Sequence, residues 1–229
     1  VGISESEIYE KIGDFQQRFP NMKLAFLPQT PGVVVRLRIS GKFKKRCEEE
    51  LARAETFVCE RVERFVFGRE DASLESVVAS LLLEKKLTIG VAESCTGGLV
   101  SHKLTDVPGS SGYFNRGVVA YSDEAKMEIL GVPEETIRVH GAVSSETAVV
   151  MAEGVRQISG TDIGVSTTGI AGPGGGTKSK PVGLVYIGYA DKDRSFSEKH
   201  RFMRDRWWNK ERSAVTALDL VRRVLLEYV

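Results

Sequence analysis

Apolar positions fall into helix-period and strand-period blocks that alternate along nearly the whole chain. Ile8, Ile12 and Phe15 recur at helical spacing behind a Ser/Glu-rich start. Residues 20–31 read as broken by prolines, 33–39 alternate as a half-buried strand, 43–63 form a charged amphipathic helix, and 64–68 read as a short closing strand. Polar residues then punctuate the sequence near residue 71. Leu74, Val77, Val78, Leu81 and Leu82 mark a helix with Ser73 as its N-cap. Residues 87–92 have the composition of a strand buried on both faces. After it, helices are expected at 99–104, 122–130, 144–158 and 207–228, a helical turn at 133–137, and strands at 117–121, 163–168, 182–190 and 196–203. The pattern predicts a small α+β unit at residues 1–71, followed by a layered α/β/α domain at 72–229 with helices on both faces of its sheet.

Composition narrows the function. The 229 residues suffice for a real core, and a formal net charge of +1 argues against a strongly electrostatic partner such as duplex DNA. The cluster Lys42, Lys44, Lys45 and Arg46 is followed at once by Glu48, Glu49 and Glu50, which favours a solvated helix start over an RNA contact. No run has membrane-spanning length and no signal-peptide pattern opens the chain, which starts at Val1 rather than Met, as a fragment would. Cys47 and Cys59 fall about 18 Å apart on one expected helix, too far for a disulfide. A reduced, cytoplasmic protein is expected.

The chain is organised around Thr88-Ile-Gly-Val-Ala-Glu-Ser-Cys-Thr-Gly-Gly98, a strand, a tight glycine turn and a helix start. Ser94, Thr96, Gly97 and Gly98 offer backbone and hydroxyl donors there, and the glycine-rich 172–176 loop offers a second cradle. Arg204, Arg206, Lys210 and Arg212 concentrate positive charge at the start of the last helix. There is no Gly-x-Ser-x-Gly elbow and no His-x-x-x-His or Cys-x-x-Cys spacing, so no metal is expected. What remains is hydroxyls with a lysine or tyrosine: Ser110 and Ser111 between Gly109 and Gly112, Tyr121 at a strand end, and Lys126 one helical turn after Ser122. Cys95 is a rival nucleophile. Composition alone leaves ordinary surface roles open for all of these.

The block Ala92-Glu-Ser-Cys-Thr-Gly-Gly98 resembles the signature of the CinA family, whose C-terminal domain is a nicotinamide-nucleotide amidase. The similarity continues through Gly109-Ser-Ser-Gly-Tyr-Phe114, Gly117-Val-Val-Ala-Tyr121, Glu124-Ala-Lys126, His140-Gly-Ala-Val-Ser144, Thr168-Gly-Ile-Ala-Gly-Pro173 and Lys180-Pro-Val-Gly183. The resemblance implies Ser111 as nucleophile, Lys126 as its base, Tyr121 as proton relay and Thr168 as a positioning or oxyanion element. Substrate would be held by Ser94, Thr96, Gly97, Gly98, Gly169, Gly172, Arg206 and Arg212. The implied reaction converts nicotinamide mononucleotide and water to nicotinate mononucleotide and ammonia, in a homodimer, without cofactor or metal. Residues 1–71 resemble the KH-like linker domain of the family, and its N-terminal pyrophosphatase domain is not visible in this sequence. Two other classes stay open: a nucleotide-binding regulatory domain without turnover, and an RNA- or DNA-associated module using the KH-like unit.

Overall fold

The computed structural model describes residues 1–70 and 72–229, which form two compact units, Val1–Arg69 and Glu70–Val229. The boundary expected near residue 71 falls on Asp71, outside the described residues. The first unit comprises helices α1 (Glu5–Lys11) and α2 (Phe15–Arg18), strands β1 (Met22–Pro28) and β2 (Val33–Ile39), and helix α3 (Lys44–Val62). Ser4 caps α1 reciprocally with Glu7, whose carboxylate accepts the Ser4 N–H at 2.8 Å. Ile8, Ile12, Phe15, Phe57 and Val58 form the core beneath the β1–β2 hairpin.

Two expectations are corrected in this unit. The stretch read as broken contains β1, because Pro20 and Pro31 lie outside the strand and Pro28 ends it, where no ladder N–H is lost. Residues 64–68 do not make a strand. A single 3-10 turn, Glu63–Phe65, turns Phe65 and Val66 onto the core instead of pairing them with the hairpin.

The second unit runs α4 (Leu74–Lys85), β3 (Ile89–Glu93), α5 (Leu99–Thr105), β4 (Phe114–Val119), α6 (Asp123–Leu130), α7 (Glu134–His140), α8 (Ser145–Ser159), β5 (Ile163–Gly169), β6 (Leu184–Ala190), β7 (Ser195–Arg201) and α9 (Arg206–Leu225). Its sheet has the order β4-β3-β5-β6-β7, with β3 parallel to β4 and β5 and the last two pairings antiparallel. All five residues of β3 are buried, as a strand covered on both faces requires. Helix α8, with α6 and α7 beside it, packs on one face, and α9, with α4 and α5 against it, on the other. Among the described residues no helix is long and apolar enough to cross a membrane.

Two bare backbone positions let α8 sit flush on the sheet. A Cβ added at Gly164 would run into the Ala152 carbonyl oxygen, and one at Gly188 into that of Ala148. Gly164→Ala should therefore lower stability to denaturant by about 1–3 kcal/mol, the usual cost of overpacking. An unchanged midpoint would mean that α8 shifts freely on the sheet.

Candidate active site

The three parallel strands point the same way, so their C-terminal ends share one edge. Glu93 at the end of β3 is level with Val119 of β4 and Thr167 of β5. The loop from Ser94 to Gly98 leaves this edge, and Glu93 fastens it from below. The Glu93 side chain is fully buried and accepts from the N–H groups of Gly98 (2.9 Å), Val100 (3.1 Å) and Ser101 (2.8 Å) and from the Ser101 hydroxyl (2.7 Å). The positive end of α5 is thus neutralised from within, and the Gly98 N–H is not left for a substrate. Thr96 is fully buried with its hydroxyl 2.6 Å from that of Thr167, so it ties the loop to β5. The Ser94 N–H donates to the Thr167 carbonyl at 2.9 Å. Burial, aided by the Glu93 charge, pushes the Cys95 thiol up to about 12. It stays protonated at neutral pH, which removes it as a thiolate nucleophile.

Lys126 enters the same edge from α6, whose start is fixed by Ser122 accepting from the Ala125 N–H at 3.1 Å. It is only 1% exposed, and its Nζ donates to the carbonyls of Tyr121 (3.3 Å) and Ser122 (3.2 Å). Burial lowers its pKa, opposed first by the charge of Asp123 at 3.8 Å. Asp123 is about half exposed, so water screens much of that pull. Tyr121 lies two residues past β4 with its ring exposed, and its hydroxyl accepts from Arg206 at 3.0 Å. Arg206 also donates to the Gly172 carbonyl at 2.8 Å, so one guanidinium joins α9, the strand-end tyrosine and the 172–176 loop. Thr168 and Gly169 end β5 at this edge. The Thr168 hydroxyl donates to the Ala142 carbonyl at 2.6 Å, and a Cβ on Gly169 would meet the Leu184 oxygen at 2.7 Å. Both therefore hold the surrounding chain in place.

Ser111 is elsewhere. Its 3-10 turn, Ser110–Gly112, precedes β4, and the Ile89 N–H at the start of β3 donates to the Tyr113 carbonyl at 2.7 Å. Ser111 thus lies at the N-terminal edge of the strands, separated from Tyr121 and Lys126 by the length of β4, roughly 16 Å at about 3.3 Å per residue. Within one chain Ser111 is therefore out of reach of Lys126. Arg212 is partly buried. Six residues past Arg206 on α9, it is lodged where burial lowers its pKa and the Asp219 charge opposes that shift.

Two residues outside the substrate-holding set belong to this edge, the second of them already named in the basic cluster at the start of the last helix. Glu93 is one. Lys210 is the other: its ammonium lies 3.5 Å from where a Cβ on Gly97 would stand, and Gly97 has a φ of +62°. The signal for Lys210 was its spacing, four residues after Arg206 and so on the same helix face.

Both units match known protein families. Residues 71–225 match the CinA C-terminal domain, and residues 1–68 match the damage-inducible protein CinA KH domain. A CinA-like protein of Salinibacter ruber is 47% identical over 98% of this chain and 55% of its own length. One from Chloroherpeton thalassium is 46% identical over 98% and 55%. The chain therefore spans about half the length of the curated relatives it matches. Among solved structures, the competence/damage inducible protein CihA from Agrobacterium tumefaciens superposes with a TM-score of 0.64 at 35% identity, over 69% of this chain and 99% of that one. The competence or damage-inducible protein from Enterobacter asburiae gives 0.64 at 34%, over 66% and 96%. With both of its units matched in order and relatives near half identical along its length, the chain belongs to the CinA family.

Proposed function

We propose that the chain is a cytoplasmic amidohydrolase that deamidates nicotinamide mononucleotide to nicotinate mononucleotide, returning a pyridine nucleotide to NAD synthesis. The carrying observation is Lys126, a lysine buried at the C-terminal edge of a parallel sheet with its pKa lowered by burial. A neutral amine there can accept the proton of an attacking hydroxyl. That hydroxyl is Ser111 of a second copy of the chain, since its own Ser111 lies at the far end of β4. The Ser111 oxygen bonds to the amide carbon while its proton passes to Lys126. The proton then goes, through the Tyr121 hydroxyl, to the leaving nitrogen, and the C–N bond breaks to release ammonia. Water, deprotonated by Lys126 in turn, attacks the acyl carbon, and Lys126 passes that proton to the departing Ser111 oxygen as the carboxylic acid forms and ionises to the carboxylate. Arg206 holds Tyr121 in position for the relay. No metal enters this reading, and none of the described His, Cys, Asp and Glu residues cluster into a metal-holding group. The KH-like unit serves as a linker.

The first test is ammonia and nicotinate mononucleotide formation from nicotinamide mononucleotide, continuing unchanged in a chelator. Nucleotide binding without ammonia release would favour a regulatory domain. Activity abolished by chelation and restored by zinc would contradict the lysine chemistry. The two-chain nucleophile has its own test: Ser111→Ala and Lys126→Met chains, each inactive alone, should regain about a quarter of wild-type activity after subunit exchange, because half the dimers then carry one intact site of two. If the mixture stays inactive and Ser94→Ala alone abolishes turnover, the nucleophile is Ser94 of the same chain.

A further inference from the structure

Four cations cluster near the start of α9, and three already have occupations. Arg206 is bound to the Tyr121 hydroxyl and the Gly172 carbonyl, and Arg204 lies 4.8 Å from the centre of the Trp208 ring. Arg212 is partly buried, its pKa lowered by burial and supported by the charge of Asp219. Lys210 differs. It is half-buried, and no carboxylate lies within ion-pairing distance of it among the described residues. The adjacent Glu211 is held by Lys103 at 2.6 Å. The ammonium of Lys210 stands instead over Gly97, in the space that a side chain there would enter.

The Ser94–Gly98 loop is thereby flanked by two lysines of different character. Lys126, whose charge interacts with Cys95, is buried and held toward neutrality. Lys210, two loop positions along, stays partly in water and has no counter-ion among the described residues. A half-buried ammonium with no carboxylate partner among the described residues, beside the bare backbone of Gly97, suits a compact dianion, and an ammonium binds phosphate as a point charge without needing bidentate geometry.

We propose that Lys210 binds the phosphate monoester of the substrate and so makes the site selective for a nucleotide over its nucleoside. This rests on the amidohydrolase reading for the identity of the substrate, not for the existence of the anion site. Arg206 is then the strut that holds the edge together, and Lys210 is the group that recognises charge.

The test compares wild type, Lys210→Gln and Lys210→Arg on nicotinamide mononucleotide and nicotinamide riboside, with inorganic phosphate as competitor. Lys210→Gln should raise KM for the mononucleotide roughly 10- to 100-fold, the loss of one hydrogen bond to a charged group, with a much smaller change in kcat. The preference for mononucleotide over riboside should shrink by the same factor, and inhibition by phosphate should weaken. Lys210→Arg should recover most of the preference. Calorimetric binding of the mononucleotide and of phosphate separates this proposal from the deamidase reading. If wild type releases no ammonia but Lys210→Gln still weakens both ligands, the anion site stands and the reaction assignment falls. Equal affinity of wild type and Lys210→Gln for both ligands would overturn the proposal, as would a wild type that binds neither or fails to prefer the mononucleotide.

Discussion

Replacing Lys126 with methionine is expected to slow deamidation by about 10²- to 10⁴-fold, the range for loss of a general base, and to raise thermal stability at pH 7. The two effects have one cause. The folded state holds Lys126 in a buried position that lowers its pKa, whereas the unfolded chain leaves it in water near the ordinary lysine value. Between the two pKa values the unfolded state binds more protons, so stability rises with pH across that interval. Below both, folding bears the full cost of the buried charge. Methionine removes that cost while keeping apolar volume, so the gain in Tm should be largest below the lowered lysine pKa and fade as pH approaches the ordinary lysine range. Lys126→Arg should be nearly inactive as well, since a guanidinium remains protonated. In wild type, kcat should fall as pH drops through the lowered lysine pKa. A Lys126→Arg enzyme with near wild-type turnover would show that the position supplies charge alone.

The largest loss of stability is expected from Glu93→Ala. Its carboxylate accepts three backbone N–H groups and one hydroxyl at 2.7–3.1 Å in a fully buried position. Alanine strands those donors, and at about 1–3 kcal/mol for each unsatisfied buried group the total should exceed about 3 kcal/mol. Glu93→Gln keeps one carbonyl acceptor but turns an NH2 toward N–H groups, so an intermediate loss is expected. Both are read from denaturant midpoints. A Glu93→Ala protein within 1 kcal/mol of wild type would mean that water replaces the carboxylate and that the loop needs no internal anchor.

Much of this architecture was legible because single residues carried their own physical signal. The apolar run ending at Ala92 has the composition of a strand covered twice, and Ser73 caps the helix that follows it. β1 was hidden because prolines flank and end it, and local punctuation cannot show that a hairpin partner is waiting across the turn. Lys126 was legible as a possible base, while its burial depended on how α6 meets the sheet. The edge that Ser111 joins was not read from the sequence. β4 begins at Phe114, three residues before the expected 117, so the serine turn leads directly into the strand and sits at its entrance. Glu93 looked like an isolated acid at a strand end, since backbone donors leave no trace in composition. Lys210 and Arg212 differ only in helical phase. Four residues from Arg206 keeps to its face and six does not, so periodicity alone could have separated them.

The protonation state of Lys126 tests the central claim most directly. With the lysine labelled at Cε, its titration can be followed by NMR beside the pH profile of kcat for nicotinamide mononucleotide. The predicted result is a Lys126 resonance that titrates below the ordinary lysine value of about 10.4, at the same pH as the acidic limb of kcat, and is absent in Lys126→Met. A Lys126 that titrates at or above the ordinary value, while ammonia is still released at neutral pH, would contradict the account.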